Sequence, residues 1–234
     1  QVSFVGNVGK DSFGKEVQIL LSKENIELSM MGKVNERTGM AIINVFNDSQ
    51  NQIIFIPGAN KLTKCNQISE EQLKKTQIII SQMEVKIDEI EMLFNNSKKY
   101  KALNILNIAP YKKPTKKLIS NADVLVFNEL EFSLFTNLKT SVSLHLDSLK
   151  QKLDGHNFTN KKSIIVTLGE RGLVFYQNNK MEYIEGQKVN AVDTVGSGDC
   201  FVGALSYSLL EGKTLKDSCD FANKSAALSV TKKG

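Results

Sequence analysis

From residue 69 onward, short apolar runs and amphipathic stretches take turns, and this alternation restricts the fold more than any other feature of the chain. Residues 78–80, 102–108, 124–127 and 163–168 are dominated by aliphatic and β-branched side chains and read as strands. Helices are expected over 87–94, from Glu129 onward, and over 141–153. Strands that are apolar throughout and spaced by helices form a mainly parallel sheet covered on both faces, a three-layer α/β/α arrangement. Ligands of such sheets gather at the carboxyl ends of the strands.

The front of the chain has another character. Val2-Ser3-Phe4-Val5-Gly6 reads as a buried strand ending in glycine, and 11–25 as an amphipathic helix. Three β candidates follow, at 29–33, 38–46 and 52–56, joined by turn-rich pieces such as Asn47-Asp48-Ser49-Gln50-Asn51. Helices return after Pro57-Gly58-Ala59-Asn60. Strands in succession within an alternating chain predict a small β-sheet lid, inserted at about residues 29–60 of a single α/β domain spanning 1–234.

Composition narrows the partners. A chain of 234 residues with 41% hydrophobic content buries a substantial core. Its 30 basic and 25 acidic residues give a formal charge of +5, but the lysines are scattered in pairs without interleaved aromatics, which argues against a nucleic-acid platform. No apolar run reaches membrane-spanning length, so no membrane partner is expected. Three cysteines, Cys65, Cys200 and Cys219, form an odd set without metal-ligand spacing and point to a reducing, cytoplasmic setting. His145 and His156 form no ligand cluster and read as surface residues.

The chemistry collects at Ala191-Val192-Asp193-Thr194-Val195-Gly196-Ser197-Gly198-Asp199-Cys200-Phe201. Small residues Gly196, Ser197 and Gly198 precede an apolar run suited to a buried helix starting near Asp199. The first N–H groups of a helix lack internal partners and carry partial positive charge, so such a turn is ready to hold an anion. Two roles are open to Asp199: an acid of the first helical turn, or a base beside a transferring phosphoryl group. The whole run, followed by Phe201, Gly203 and Ala204, resembles the C-terminal signature of the ribokinase-like (PfkB) sugar kinases, with Ser197 at a position that family usually fills with Ala.

The resemblance implies further assignments. Asn128 and Glu131 match an Asn-x-x-Glu motif, which implies nucleotide binding for Asn128 and a hold on magnesium through water for Glu131. Thr167, Gly169 and Gly172 match a Thr-Leu-Gly-x-x-Gly loop under ATP, and Asn223 falls where the family borders the adenine, with a solvated helix residue as its plain alternative. Asp193, Val195, Ser229, Lys232 and Gly234 match a loop that holds a monovalent cation, taken as potassium; a structural tie is the rival role for Asp193. On the sugar side, Glu84 would accept a hydrogen bond from a hydroxyl, and Ala41 and Ile43 would pack over the ring, although alternating strand burial accounts for the latter pair as well.

Taken together, the resemblance implies ATP-dependent phosphorylation of the primary hydroxyl of a sugar, most like the ribose-phosphorylating branch. Asp199 would act as base, with Gly196, Ser197 and Gly198 as anion hole, Mg2+ as cofactor and K+ as activator. Fructokinase, adenosine kinase and vitamin kinase activities are the alternatives within the family, and a non-catalytic nucleotide-binding relative is the alternative outside catalysis. A homodimer through the β lid is implied too, since a small sheet has edges to cover. Members of the family carry a further strand, part of the lid and a glycine-rich sugar segment at the front, and a tail at the back. The sequence is therefore expected to be clipped at both ends.

Overall fold

The structure, a computed structural model, describes residues 1–45, 51–138, 144–155 and 162–233. The chain divides into two compact units, one made of Gln1–Lys75 and Glu84–Leu93, the other of Thr76–Met83 and Phe94–Gly234.

In the first unit, strand β1 (Gly6–Gly9), helix α1 (Ser12–Lys23) and strand β2 (Met31–Val34) form a β-α-β unit with the strands parallel. Asp11 starts α1, its Oδ1 accepting the Gly14 N–H at 2.9 Å. Hydrogen bonds from the Thr38 hydroxyl and then its N–H hold the Asp11 carboxyl below the usual carboxylate range. Strands β3 (Met40–Val45) and β4 (Asn51–Ile56) pair as an antiparallel hairpin, and helix α2 (Glu70–Lys75) follows two 3-10 turns.

Two expectations shift here. The buried strand is Gly6–Gly9, not 2–6: Val2 is 65% exposed, and Ser3 makes only a single bridge, to Glu27. Backbone bonding explains the shift, because Gln67 Nε2 donates to the carbonyls of Gly6 and Met30 and so seals the β1–β2 pair where apolarity is low. The three β candidates also part company. The first pairs with β1, and only the second and third make the small antiparallel sheet.

The second unit contains β5 (Ile78–Ser81), the end of α3 (Ile87–Ser97), β6 (Leu103–Asn107), α4 (Lys116–Asn121), β7 (Val124–Asn128), α5 (Glu129–Thr136), α6 (Leu146–Gly155) and β8 (Ser163–Thr167). Strands β9 (Gly172–Gln177) and β10 (Lys180–Glu185) and helices α7 (Ser197–Leu210) and α8 (Leu215–Ser229) complete it. One sheet runs in the order β10-β9-β8-β7-β6-β5; β5 to β8 are parallel, and β9 and β10 are antiparallel additions at one side. The expected mainly parallel sheet is present. Part of the expected helix over 141–153 lies outside the described residues, as do His156 and most of the turn at 47–51.

Alternation along the strands sends residues to two cores. Ile105, Val124, Val126, Ile165, Leu173 and Phe175 pack against Phe201, Val202 and Leu205 of α7 and Leu215, Cys219 and Ala222 of α8. On the other face, Phe127 meets Phe132 of α5 edge-on, with ring centroids 5.6 Å apart, and Phe135 at 5.2 Å. Helices thus cover both faces, and α7 is pinned to one of them along its apolar side.

Candidate active site

Helix α7 starts earlier than its apolar run suggests. Gly196 is the cap residue, in the left-handed region at φ 74°, and Ser197, Gly198 and Asp199 form the first turn. An L side chain rarely adopts that φ, and among the described residues no atom beyond the turn's own neighbouring chain lies within 4 Å of where a Cβ on Gly196 or Gly198 would stand. The turn is therefore open above its backbone. The Ser197 N–H turns back to the Thr194 carbonyl at 3.3 Å, and that of Cys200 makes the first helical bond, to Gly196, at 2.9 Å. No side chain caps the helix, and the N–H groups of Gly198 and Asp199 have no acceptor among the described residues. Two orphan donors at the positive end of a helical dipole suit an anion.

Asp199 is exposed on this turn. Its Oδ1 accepts a 2.6 Å hydrogen bond from Nε2 of Gln82, the residue that follows β5. The N-terminal end of α7 therefore stands at the carboxyl edge of the parallel strands, where ligands of such sheets bind. The sequence assigns Gln82 no role, although it lies in the run Ser81-Gln82-Met83-Glu84 that leaves the strand, two residues before Glu84.

Two strands along the same edge, β7 ends at Asn128, which pairs in register with Thr167 at the end of β8. At about 4.8 Å per strand, this point is roughly 10 Å from the end of β5. Asn128 caps α5 by accepting the Glu131 N–H at 2.8 Å, and Glu131 Oε2 accepts the Asn128 N–H at 2.7 Å, a reciprocal capping box. Glu131 is 6% exposed, and burial pushes its carboxyl above the ordinary range, against the opposing effect of the Asn128 N–H.

The loop after β8 is tied from several sides. Leu168 N–H donates to the Gly172 carbonyl at 2.7 Å, and Thr167 Oγ1 to Phe127 at 3.3 Å. Arg171 joins Glu129 of α5 in an ion pair and donates to the Leu144 carbonyl at 3.0 Å. Gly169 and Gly172 have φ 59° and 97°. A Cβ on Gly172 would lie 2.1 Å from the Ile184 carbonyl oxygen, whereas among the described residues nothing but its chain neighbours lies within 4 Å of one on Gly169. Gly172 is thus needed for the approach of β10, and Gly169 leaves an open face.

Asn223 is not a solvated helix residue. It is 8% exposed, and its Nδ2 donates to the Glu185 carbonyl at 2.8 Å, fastening α8 to the end of β10. At the far end of α8, the Val230 carbonyl accepts N–H bonds from Val192 at 2.7 Å and Asp193 at 3.2 Å. Asp193 Oδ1 in turn accepts the Val195 N–H at 2.9 Å, and the Ser229 carbonyl accepts that of Lys232 at 3.2 Å. Asp193, Val195, Ser229 and Lys232 are in this way gathered around one junction, and Gly234 lies outside the described residues.

Glu84, Ala41 and Ile43 belong to the first unit. Glu84 and Ala41 are half-buried and exposed respectively, and Ile43 is described as backbone in β3 only.

A model of the pfkB family of carbohydrate kinases matches residues 1–234 of this chain. Ribokinase from Schizosaccharomyces pombe is 32% identical over 240 aligned residues, which cover 100% of this chain and 75% of the relative. Ribokinase from Haemophilus influenzae is 31% identical, with 100% and 76% covered. Among solved structures, ribokinase from Arabidopsis thaliana complexed with ribose and ATP matches with a TM-score of 0.88 at 27% identity, over 99% of this chain and 76% of that one.

Proposed function

Because the chain belongs to the pfkB family of carbohydrate kinases, we propose that it transfers the terminal phosphoryl group of ATP to the primary hydroxyl of D-ribose, giving D-ribose 5-phosphate. The observation that carries this reading is the first turn of α7, where an exposed carboxylate stands beside backbone donors that have no partner among the described residues. Asp199 takes the hydroxyl proton as the oxygen attacks phosphorus, and the N–H groups of Gly198 and Asp199 face the charge that grows there. Gly196 and Ser197 shape the same turn. Relatives named ribokinase from four organisms, at 30–32% identity, support ribose as the acceptor.

The loop at Thr167, Gly169 and Gly172 receives the nucleotide, the open face of Gly169 supplying room, with Asn128 at its edge and Asn223 beyond it. Among the described residues no cluster of three or more His, Cys, Asp or Glu exists, so a cage made by protein alone is not on offer for Mg2+. That suits an ion that keeps its waters and arrives with phosphates, with Glu131 holding it through water. When bound, magnesium neutralises phosphate oxygens. K+ belongs at the junction of Asp193, Val195, Ser229 and Lys232, supplied mainly by carbonyls and adding positive charge near the turn. Glu84, Ala41 and Ile43 serve the sugar. The enzyme works in the cytoplasm, as a homodimer paired through β3 and β4.

The test is turnover with ATP across ribose, 2-deoxyribose, fructose and adenosine. Ribose should give the highest kcat/KM, and preference for another acceptor would reassign the substrate. Asp199→Asn should keep ATP affinity and lose on the order of 10²–10⁴-fold in kcat. Unchanged turnover would remove Asp199 as the base.

A further inference from the structure

Asp199 and Glu131 occupy the same position on their helices, the third residue after the cap, yet they behave in opposite ways. Glu131 folds back onto the cap residue's N–H and closes the start of α5. An acid at this position does so readily, because the cap's N–H and the helix dipole attract it. At α7 the cap is built differently, Gly196 standing at φ 74° and ψ 0° where Asn128 of α5 is extended at φ −89° and ψ 176°, and among the described residues Asp199 makes no bond to its cap. Asp199 is held instead by Gln82, whose amide donates to its Oδ1 at 2.6 Å from the neighbouring strand end.

The main chain on either side of Gln82 is fixed. Ser81 Oγ donates to the Gln82 carbonyl at 3.1 Å, and the Met83 N–H donates to Ala109 at 2.9 Å, with the Met83 side chain fully buried. Gln82 is therefore anchored well enough to aim its amide. A neutral donor also fits this role, because it orients a carboxylate without supplying the full charge of a lysine or arginine, which would hold the proton acceptor in its charged form.

We propose that Gln82 is a positioning residue that fixes the aim of the Asp199 carboxylate at the first turn of α7, one oxygen held by the amide and Oδ2 left to meet the hydroxyl. Without it, the Asp199 side chain loses its fixed aim while the N–H groups of Gly198 and Asp199 stay open, so the base is impaired and the anion hole is kept. This rests on the kinase reading above for its catalytic consequence, but not for its geometry.

The experiment is made on the full chain with Gln82→Met and Gln82→Glu. Gln82→Met should lower kcat by about 10-fold or more while the KM for sugar changes by less than about 2-fold. Gln82→Glu sets a second carboxylate against Asp199, so its kcat should fall further and the acid limb of its pH–rate profile should move to higher pH. Wild-type kcat in Gln82→Met, or a parallel loss of kcat and thermal stability with an unmoved profile in Gln82→Glu, would overturn the proposal. A crystal structure of Gln82→Met needs no turnover: the Asp199 carboxylate should have left its wild-type place or be spread over more than one, and a carboxylate still in its wild-type place overturns the proposal whatever the substrate. Wild-type protein inactive toward every acceptor would instead overturn the kinase reading and leave the crystallographic test to decide the role of Gln82.

Discussion

Glu131 is a buried carboxylate that caps α5 and, in the proposed kinase, also holds magnesium through water. Substitution separates the two duties. Glutamine can still accept the Asn128 N–H, so Glu131→Gln should keep the cap and be at least as stable as wild type at pH 7, while losing about 10–100-fold in activity. Burial raises the Glu131 pKa above its ordinary 4.5. Between those two values the folded chain keeps a proton that the unfolded chain has lost, so stability relative to Glu131→Gln falls as pH rises through that window. Urea melts of both proteins from pH 4 to pH 7 check the sign, and wild-type stability that instead rises relative to the variant across that range would contradict it. At this scale the run from Asp193 to Asp199 was readable because its residues are adjacent. Gln82 was not, since its partner lies 117 positions away and nothing local marks the bond. Asn223 is named from the family resemblance alone, and its bond is illegible for a similar reason: the acceptor is a carbonyl at the end of β10, which only the folded sheet brings near.

Elements repeat the pattern. The parallel strands declared themselves through buried aliphatic runs, and the helices between them through amphipathic spacing. The hairpin of β9 and β10 was not foreseen, although Asn178 and Asn179 form its turn with φ 52° and 60°, a left-handed pair that asparagine tolerates. Strand β1 was misplaced because hydrogen bonding to Gln67, not apolarity, decides where that pair closes. The loop entering the hairpin offers a direct test of its two glycines. Gly172→Ala meets the Ile184 carbonyl and a forbidden φ together, and should cost about 2–4 kcal/mol. Gly169→Ala faces open space and only the left-handed penalty, about 1–2 kcal/mol. Denaturant midpoints of the two variants should stand in that order, and equal midpoints would show that the approach of β10 is not what demands Gly172.

At the scale of the whole molecule, the division into two units sets what a single probe can report. Cys219 lies in the second unit, fully buried among α7, α8 and the sheet, and burial pushes its thiol up to about 12. At pH 8 it should therefore resist alkylation in the folded protein and become reactive at the denaturant concentration where the second unit unfolds. Rapid native labelling of Cys219, located by mass spectrometry, would contradict the packing of α8 on the sheet. The alternation of strands and helices made the second unit legible in outline, because burial on two faces leaves a strong mark on composition. The first unit was less so: its β1–β2 pair is sealed by polar contacts that a hydropathy pattern does not register.

One carbonyl, that of Val230, holds both Val192 and Asp193, and so couples the last turn of α8 to the chain entering the first turn of α7. Thermodynamic reciprocity then applies. Whatever factor an occupant of the junction applies to affinity at the turn, the occupant of the turn must apply to the junction. Four titrations close a square, and its two independent routes must agree.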